Sequence, residues 1–271
     1  MAPELTTFST LRLERRGAVE ILSLNRPEKL NTISPEMARE ITAYFGGLGA
    51  RLDVRVVLLR AEGKLFCAGA DLGTDAFVEQ GSGRAQHQMA MQRLYSGVVR
   101  AMRSCPQPIV ALIHGAACGG GLSLALASDV RYASPDARMN AAYIRIGLGG
   151  CDMGAGYFLP RLVGLSNASE FLLSGRFIDA ERALRMGLVS AIVASDQLLA
   201  TGLALADDML KAAPMGLRMT KETLAAEIDA PGLEAALTIE DRQQVILLDT
   251  DDHREAVKAF REKRAPVYRD R

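Results

Sequence analysis

Phe66-Cys67-Ala68-Gly69-Ala70-Asp71-Leu72 follows an apolar run at residues 54–60, and Gly119-Gly120-Gly121 follows another at residues 108–113. Both stretches leave bare backbone at the end of an expected strand, because alanine and glycine let a ligand approach the main chain closely. Two bare N–H groups brought together can hold one oxygen that becomes negative during a reaction, an oxyanion hole. Each stretch alone also has a plainer reading. The first fits a tight strand-to-helix turn, and the second fits close packing of a helix on a sheet. A triple glycine at a helix start does present free N–H groups and the positive end of the helix dipole. Its spacing is not GxGxxG and it lies far from the first strand, which argues against a nicotinamide-linked oxidoreductase.

Working outward, residues 19–24 are apolar and partly β-branched and read as a strand. Asn25-Arg26-Pro27-Glu28 ends it, and Ser34-Pro35 opens a helix with serine as N-cap and proline at the first helical position. Met37, Ile41, Tyr44, Phe45, Leu48 and Leu52 recur at helical spacing and give it one buried face. Residues 54–60 form the next strand. Residues 73–92 are polar and poorly periodic and read as a mobile loop leading into a helix through about Arg103. A strand at 108–113, a turn entering a helix at 119–127 and a short strand at 130–133 follow. After about residue 165, helices dominate: 167–173, 180–186, 196–213, 233–248 and 252–264, the last capped by Asp251 or Asp252. The order predicts an α/β core followed by a helical C-terminal part.

The chain has 271 residues, enough for one large domain or a core with an appendage. Acidic and basic residues balance at 32 each, so no global charge recommends nucleic acid or an anionic membrane as partner. Cys67, Cys105, Cys118 and Cys151 show no metal-ligand spacing and no CxxC, as expected of free thiols in a reducing compartment. The N-terminal MAPELTTFSTLRLERR lacks the apolar stretch of a signal peptide. Residues 109–130 are the only candidate membrane segment. They contain His114, Ser123 and several glycines, and fit a buried strand, turn and helix better. A soluble, cytoplasmic protein is the expectation.

In their order and separation, the two glycine-containing stretches resemble the crotonase superfamily, also called the enoyl-CoA hydratase/isomerase family. Leu24-Asn25-Arg26-Pro27 followed by Leu30-Asn31 resembles its opening motif, and Leu159-Pro160-Arg161-Leu162-Val163-Gly164 its middle signature. Leu173-Ser174-Gly175-Arg176, Ala180, Ala183, Gly187-Leu188-Val189 and Glu262-Lys263-Arg264 also fit, so the resemblance spans residues 10–268. It implies an α/β crotonase-like spiral of ββα turns at residues 1–200 and a helical region at 201–271 for trimerisation and ligand cover. It implies homotrimers or dimers of trimers, an acyl-CoA thioester as ligand, and no separate cofactor, since CoA enters as part of the substrate. The Ala70 and Gly120 N–H groups correspond to the family's oxyanion pair. Ala68 and the backbone of Ala70, Asp71, Leu72 and Gly73 would line the CoA path. Lys263 corresponds to a lysine that reaches CoA phosphate, and it also fits a solvated lysine on a terminal helix.

The resemblance breaks at the acids. Family hydratases use two glutamates, and the corresponding positions here are Ser123 and the Tyr143–Ile144 region, where no carboxylate stands. A serine hydroxyl or a phenol is a poor base near neutral pH. Asp152, in Gly149-Gly150-Cys151-Asp152-Met153-Gly154, aligns with an aspartate of the dienoyl-CoA isomerase branch. It reads either as a proton-transfer group or as the N-cap of a helix beginning near Gly154. His114 reads as structural. His87, Asp75 and Glu79 lie in the loop that shapes the acyl pocket by resemblance, and Cys67, Cys118 and Cys151 read as packed thiols. Two functions follow: an acyl-CoA enzyme that stabilises a thioester enolate, doing isomerisation or related chemistry with Asp152 rather than efficient hydration, or a binding protein that has lost its acids.

Overall fold

Period-two alternation along the apolar strands builds a sheet that is buried on both faces. The computed structural model describes residues 8–73 and 83–271. In chain order its elements are β1 (Leu11–Arg16), β2 (Val19–Leu24), α1 (Pro35–Gly47), β3 (Val56–Ala61), α2 (Arg84–Ser104), β4 (Ile109–Ile113), β5 (Ala116–Cys118) and α3 (Gly120–Ala127). There follow β6 (Val130–Ala133), β7 (Arg138–Asn140), α4 (Ala155–Val163), α5 (Leu165–Ser174), β8 (Ile178–Asp179), α6 (Ala180–Arg185) and β9 (Ala191–Ile192). Four helices close the chain: α7 (Leu198–Leu210), α8 (Pro214–Glu227), α9 (Leu233–Leu248) and α10 (Asp251–Glu262).

The large sheet runs β1-β2-β3-β4-β6-β9, antiparallel only between β1 and β2. Leu22, Leu24, Val57, Leu59, Ile109 and Ala111 point to the face that packs with Ile41, Phe45 and Met102 of α1 and α2. Val19, Ile21, Val56, Leu58, Val110 and Leu112 point to the other face, against Leu199, Leu203 and Ala206 of α7. That helix sits close: a Cβ on Gly202 would come within 2.9 Å of Leu112 Cδ2. The one acid in β2, Glu20, is buried and takes both arms of the Arg51 guanidinium, at 2.9 and 2.6 Å.

β2, β3, β4 and β6 are each followed by a short extended piece and then a helix, which makes repeated ββα units. The short pieces pair with one another. Ile33 bridges Ala70, Cys67 bridges Ala117, and β5 pairs with β7, which pairs with β8. Successive turns of the chain therefore lay their short strands side by side. Residues far apart in sequence meet where those strands end, at the starts of the following helices.

The structure extends the sequence reading in places. α2 already begins at Arg84, inside the stretch read as loop, because Arg84-Ala85-Gln86 and the residues after them are good helix formers. α4 forms despite the internal Pro160. α8, from Pro214, has few buried residues and so shows little apolar periodicity. The cap of α10 is Thr250, whose Oγ1 accepts from the His253 N–H at 3.1 Å. Asp252 is instead buried and accepts the N–H groups of Arg269 and Asp270, at 2.7 and 2.8 Å. Among the described residues no helix is long and apolar enough to cross a membrane.

One buried cation ties α8 to the core. Lys221 Nζ lies 2.9 Å from Asp129 Oδ2 and donates to the Gln107 carbonyl at 2.7 Å. Asp129 also receives Arg103 Nη1 and the Ile109 N–H. Lys221→Met keeps the aliphatic stem and strands these acceptors. It is expected to cost about 3 kcal/mol of unfolding free energy, read as a lower midpoint in urea.

Candidate active site

The loop after β3 is held from below by the stretch after β2. Asn31 is buried, and its Nδ2 donates to the carbonyls of Glu62 and Leu65 at 2.8 and 3.1 Å. Its Oδ1 accepts the Arg26 N–H at 2.9 Å. Arg26 Nη1 in turn donates to the Thr32 carbonyl at 2.6 Å and to Asp71 Oδ2 at 2.9 Å. Burial pushes the Asp71 carboxyl up, but the Arg26 and Gly73 hydrogen bonds outweigh it and leave it below the usual carboxylate range. The side chain of Asp71 thus clamps the loop, and Gly73 N–H closes the turn onto its Oδ1 at 3.2 Å. This is the physical content of the Asn-Arg-Pro and Leu-Asn pattern.

Ladder geometry decides where the Ala70 amide points. Ile33 N–H donates to the Gly69 carbonyl at 2.8 Å, and Asp71 N–H donates to the Ile33 carbonyl at 3.0 Å. In such a parallel bridge the flanking residues make both bonds, so Ala70's own N–H faces the opposite side. On that side, β5 ends and α3 begins. Gly119 has φ +50°, and its N–H donates to the Asn140 carbonyl at 2.9 Å. Gly120 opens α3, so its N–H has no carbonyl a turn earlier to bond.

The two amides lie side by side. A Cβ on Gly69 would stand 3.8 Å from Gly120 N, and a Cβ on Gly120 would stand 3.9 Å from Ala70 N, 2.9 Å from Ile33 Cδ1 and 3.5 Å from Met153 Sδ. Among the described residues neither N–H has a backbone acceptor. The glycines allow this approach. Gly69 has φ +104°, and a Cβ on Gly121 would fall 2.4 Å from the Cys67 carbonyl.

Ser123 and Tyr143 meet beneath α3. Ser123 Oγ and Tyr143 Oη are 2.6 Å apart, and both side chains are buried. Tyr143 donates to the Gly119 carbonyl at 2.8 Å, so its single proton is committed there and Ser123 is the donor of the pair. Burial pushes the phenol well above its ordinary value, with a smaller opposing contribution from Ser123.

Asp152 is half-buried next to this group: its carbonyl is 3.4 Å from Ser123 Oγ, and Met153 follows it at the paired amides. Its side chain does not cap α4, whose N-cap is Gly154 in the left-handed region without a side-chain bond. Instead Oδ1 accepts the Met153 N–H at 2.7 Å and Gln92 Nε2 of α2. Among the described residues Oδ2 has no hydrogen-bond partner. One carboxylate oxygen is thus held from two sides, by its own segment and by α2.

The remaining sequence candidates fall as follows. Ala68 and Ala70 are half-buried, while Leu72 and Gly73 are exposed at the mouth of the loop. Lys263 is the exposed left-handed C-cap of α10. His114 Nε2 is 3.0 Å from the Gly63 carbonyl. It lines a separate cavity of about 450 Å³ with Arg60, Asp136 and Ser195. His87 lies in the first turn of α2, and Asp75 and Glu79 lie outside the described residues. Cys67 is fully buried, and its thiol is pushed up to about 12 by desolvation. Cys118 is half-buried and also raised by desolvation, whereas Cys151 is exposed rather than packed. A maleimide at pH 7 is therefore expected to modify Cys151 first, with Cys67 and Cys105 reacting only in denaturant; peptide mapping by mass spectrometry reads the order. Sequence reasoning passed over Ile33, Met153 and Gln92. Only their place in neighbouring turns of the spiral gives them a role.

A family model described as enoyl-CoA hydratase/isomerase matches residues 14–271. A Mycobacterium leprae protein described as probable enoyl-CoA hydratase echA12 is 39% identical over 258 residues, covering 94% of this chain and 88% of that protein. The 1,2-epoxyphenylacetyl-CoA isomerase of Escherichia coli is 32% identical over 251 residues, covering 92% of this chain and 94% of the other. The crystal structure of a putative enoyl-CoA hydratase from Streptomyces coelicolor A3(2) superposes with a TM-score of 0.92 at 35% identity, covering both chains fully.

Proposed function

The chain belongs to the enoyl-CoA hydratase/isomerase family, an enzyme family of acyl-CoA thioester chemistry, and on that premise we propose that it stabilises a thioester enolate between the Ala70 and Gly120 amides. The observation that carries the reading is the pairing of two N–H groups that no carbonyl of the ladder uses. A thioester oxygen gains negative charge when the α-carbon loses a proton. Donors already aimed at that oxygen stabilise the charge without rearranging first. The exposed backbone of Leu72 and Gly73 leads from this point to the surface and suits the path of the CoA arm. Lys263 is assigned to CoA phosphate.

Asp152 is the proton-transfer group in this reading. A single carboxylate can take a proton from one carbon and return it to another, which suits isomerisation or a related enolate reaction. Efficient addition of water asks for a second acid or base, and Ser123 and Tyr143 do not supply one. The same observation supports the second reading, a protein that binds acyl-CoA without turnover. Incubation with butyryl-CoA in heavy water separates the two. Deuterium entering at the α-carbon faster than in buffer supports enolate formation. Tight binding with no incorporation, across a panel of acyl lengths, supports the binding protein.

Residues 201–271 are assigned to subunit contact and ligand cover. α9 has no buried residue, and Leu233, Val245 and Leu248 on it are exposed together with Leu224 and Ile228 nearby. A leucine-bearing helix with no buried side asks for a partner surface. Light scattering on the purified protein is expected to give three or six times the 29.2 kDa chain mass. A monomer would count against the assignment.

A further inference from the structure

We infer that Tyr143 is a positioning residue that aims and strengthens the Gly120 oxyanion donor through the Gly119 carbonyl. The inference rests on the oxyanion reading above and deepens it. Gly119 C=O and Gly120 N–H are the two ends of one peptide group. The carbonyl accepts two donors, the Ser123 N–H at 3.0 Å and the Tyr143 hydroxyl at 2.8 Å. The first is an ordinary bond of the opening helical turn. The second comes from a different turn of the spiral, from a side chain that is only 6% exposed.

A hydrogen bond to a peptide oxygen draws electron density away from the nitrogen and makes the N–H a stronger donor. Chains of such bonds reinforce one another where water is excluded. The Ser123 hydroxyl has two acceptors in reach, Tyr143 Oη at 2.6 Å and the Asp152 carbonyl at 3.4 Å, and the shorter contact sets the direction. Ser123 Oγ–H donates to Tyr143 Oη, Tyr143 Oη–H donates to the Gly119 carbonyl, and the Gly120 N–H is left facing the space beside Ala70 N. Burial keeps the phenol protonated, which it must be in order to donate.

The bond also fixes geometry. Gly119 and Gly120 have no side chains to lock their peptide plane, and Gly119 sits at φ +50°. The hydroxyl pins that plane from its carbonyl end, while the Tyr143 ring lies against Gly119, 3.5 Å from where its Cβ would be. The two hydroxyls at positions 123 and 143 therefore serve the oxyanion donor rather than transferring protons.

The test is the carbonyl stretch of butyryl-CoA labelled with carbon-13 at the thioester carbon, read by Raman difference spectroscopy on the wild type, Tyr143→Phe, Ser123→Ala and the double variant. Tyr143→Phe keeps the ring, and the double variant also removes the hydroxyl that the single change strands. The expected result is a downshifted band in bound wild type, most of that downshift lost in Tyr143→Phe and in the double variant, and a smaller loss in Ser123→Ala. Butyryl-CoA affinity is expected to stay nearly constant, while α-proton exchange slows about 5- to 10-fold in Tyr143→Phe, the scale of one hydrogen bond. If Tyr143→Phe does not fold, the partial loss in Ser123→Ala carries the test. A wild-type downshift kept in full by every folded variant overturns the inference and leaves the oxyanion reading standing. No downshift in the wild type overturns both.

Discussion

Asp152→Asn is expected to slow α-proton exchange of butyryl-CoA by about 100- to 10,000-fold, the usual contribution of a positioned acid or base, while thioester affinity is retained. The change is well suited to the geometry. Oδ1 of Asp152 accepts from Met153 N–H and Gln92 Nε2. An asparagine carbonyl oxygen can accept both, so the segment that places Met153 beside Gly120 keeps its anchors. What is lost is Oδ2, the oxygen without a partner among the described residues, which becomes an NH2 group that cannot take up a proton. A stability loss is therefore not the expected route to inactivity, and the denaturation midpoint should move little. Exchange that continues at the wild-type rate would assign proton transfer to another group.

The second large effect is expected from the backbone. Replacing Ala70 by lactic acid turns the Gly69–Ala70 amide into an ester and removes one N–H while keeping the methyl group. The rate of exchange is expected to fall about 100- to 1,000-fold, roughly 3 to 4 kcal/mol of barrier. The fold should tolerate the change, because the Ala70 N–H takes no part in the bonds to Ile33, and the Gly69 carbonyl that accepts the Ile33 N–H stays in place as a weaker ester acceptor. Ala70→Pro removes the same donor genetically, but its ring also enters the space meant for the oxygen, so it should weaken binding as well. An ester variant with unchanged exchange would remove Ala70 from the oxyanion pair. Substituting side chains around the site would not reveal this contribution, because both donors are main-chain groups.

The ββα units were legible because their main strands carry long apolar runs, and the first of their helices also has a recognisable cap. Ser34 is the clearest case: its Oγ accepts from the Met37 N–H at 3.2 Å, as a capping serine should. The short pieces β5, β7 and β8 were not legible. They have two or three residues each and no period to read. Yet they bring neighbouring turns together, so the meeting of Ala70 with Gly120 could be expected only from the family resemblance. α8 escaped notice because its main buried polar anchor is Lys221, which sequence patterns score as a surface residue.

Site residues divide along the same line. Glycine marks a close approach of backbone, so Gly69, Gly119 and Gly121 could be read directly. Asp152 could be found as an acid, but that its side chain bonds Met153 and Gln92 rather than capping α4 shows only in the fold. Ser123 and Tyr143 were read as failed bases because each was judged alone. Two hydroxyls standing where two acids are expected are a signal for a shared hydrogen bond, and the 2.6 Å contact is what that signal meant.

A crystal structure with butyryl-CoA bound tests the central claim most directly. The account predicts the thioester oxygen at about 2.7–3.1 Å from both Ala70 N and Gly120 N. A thioester oxygen that lies away from both nitrogens, in a complex competent for α-proton exchange, would contradict it.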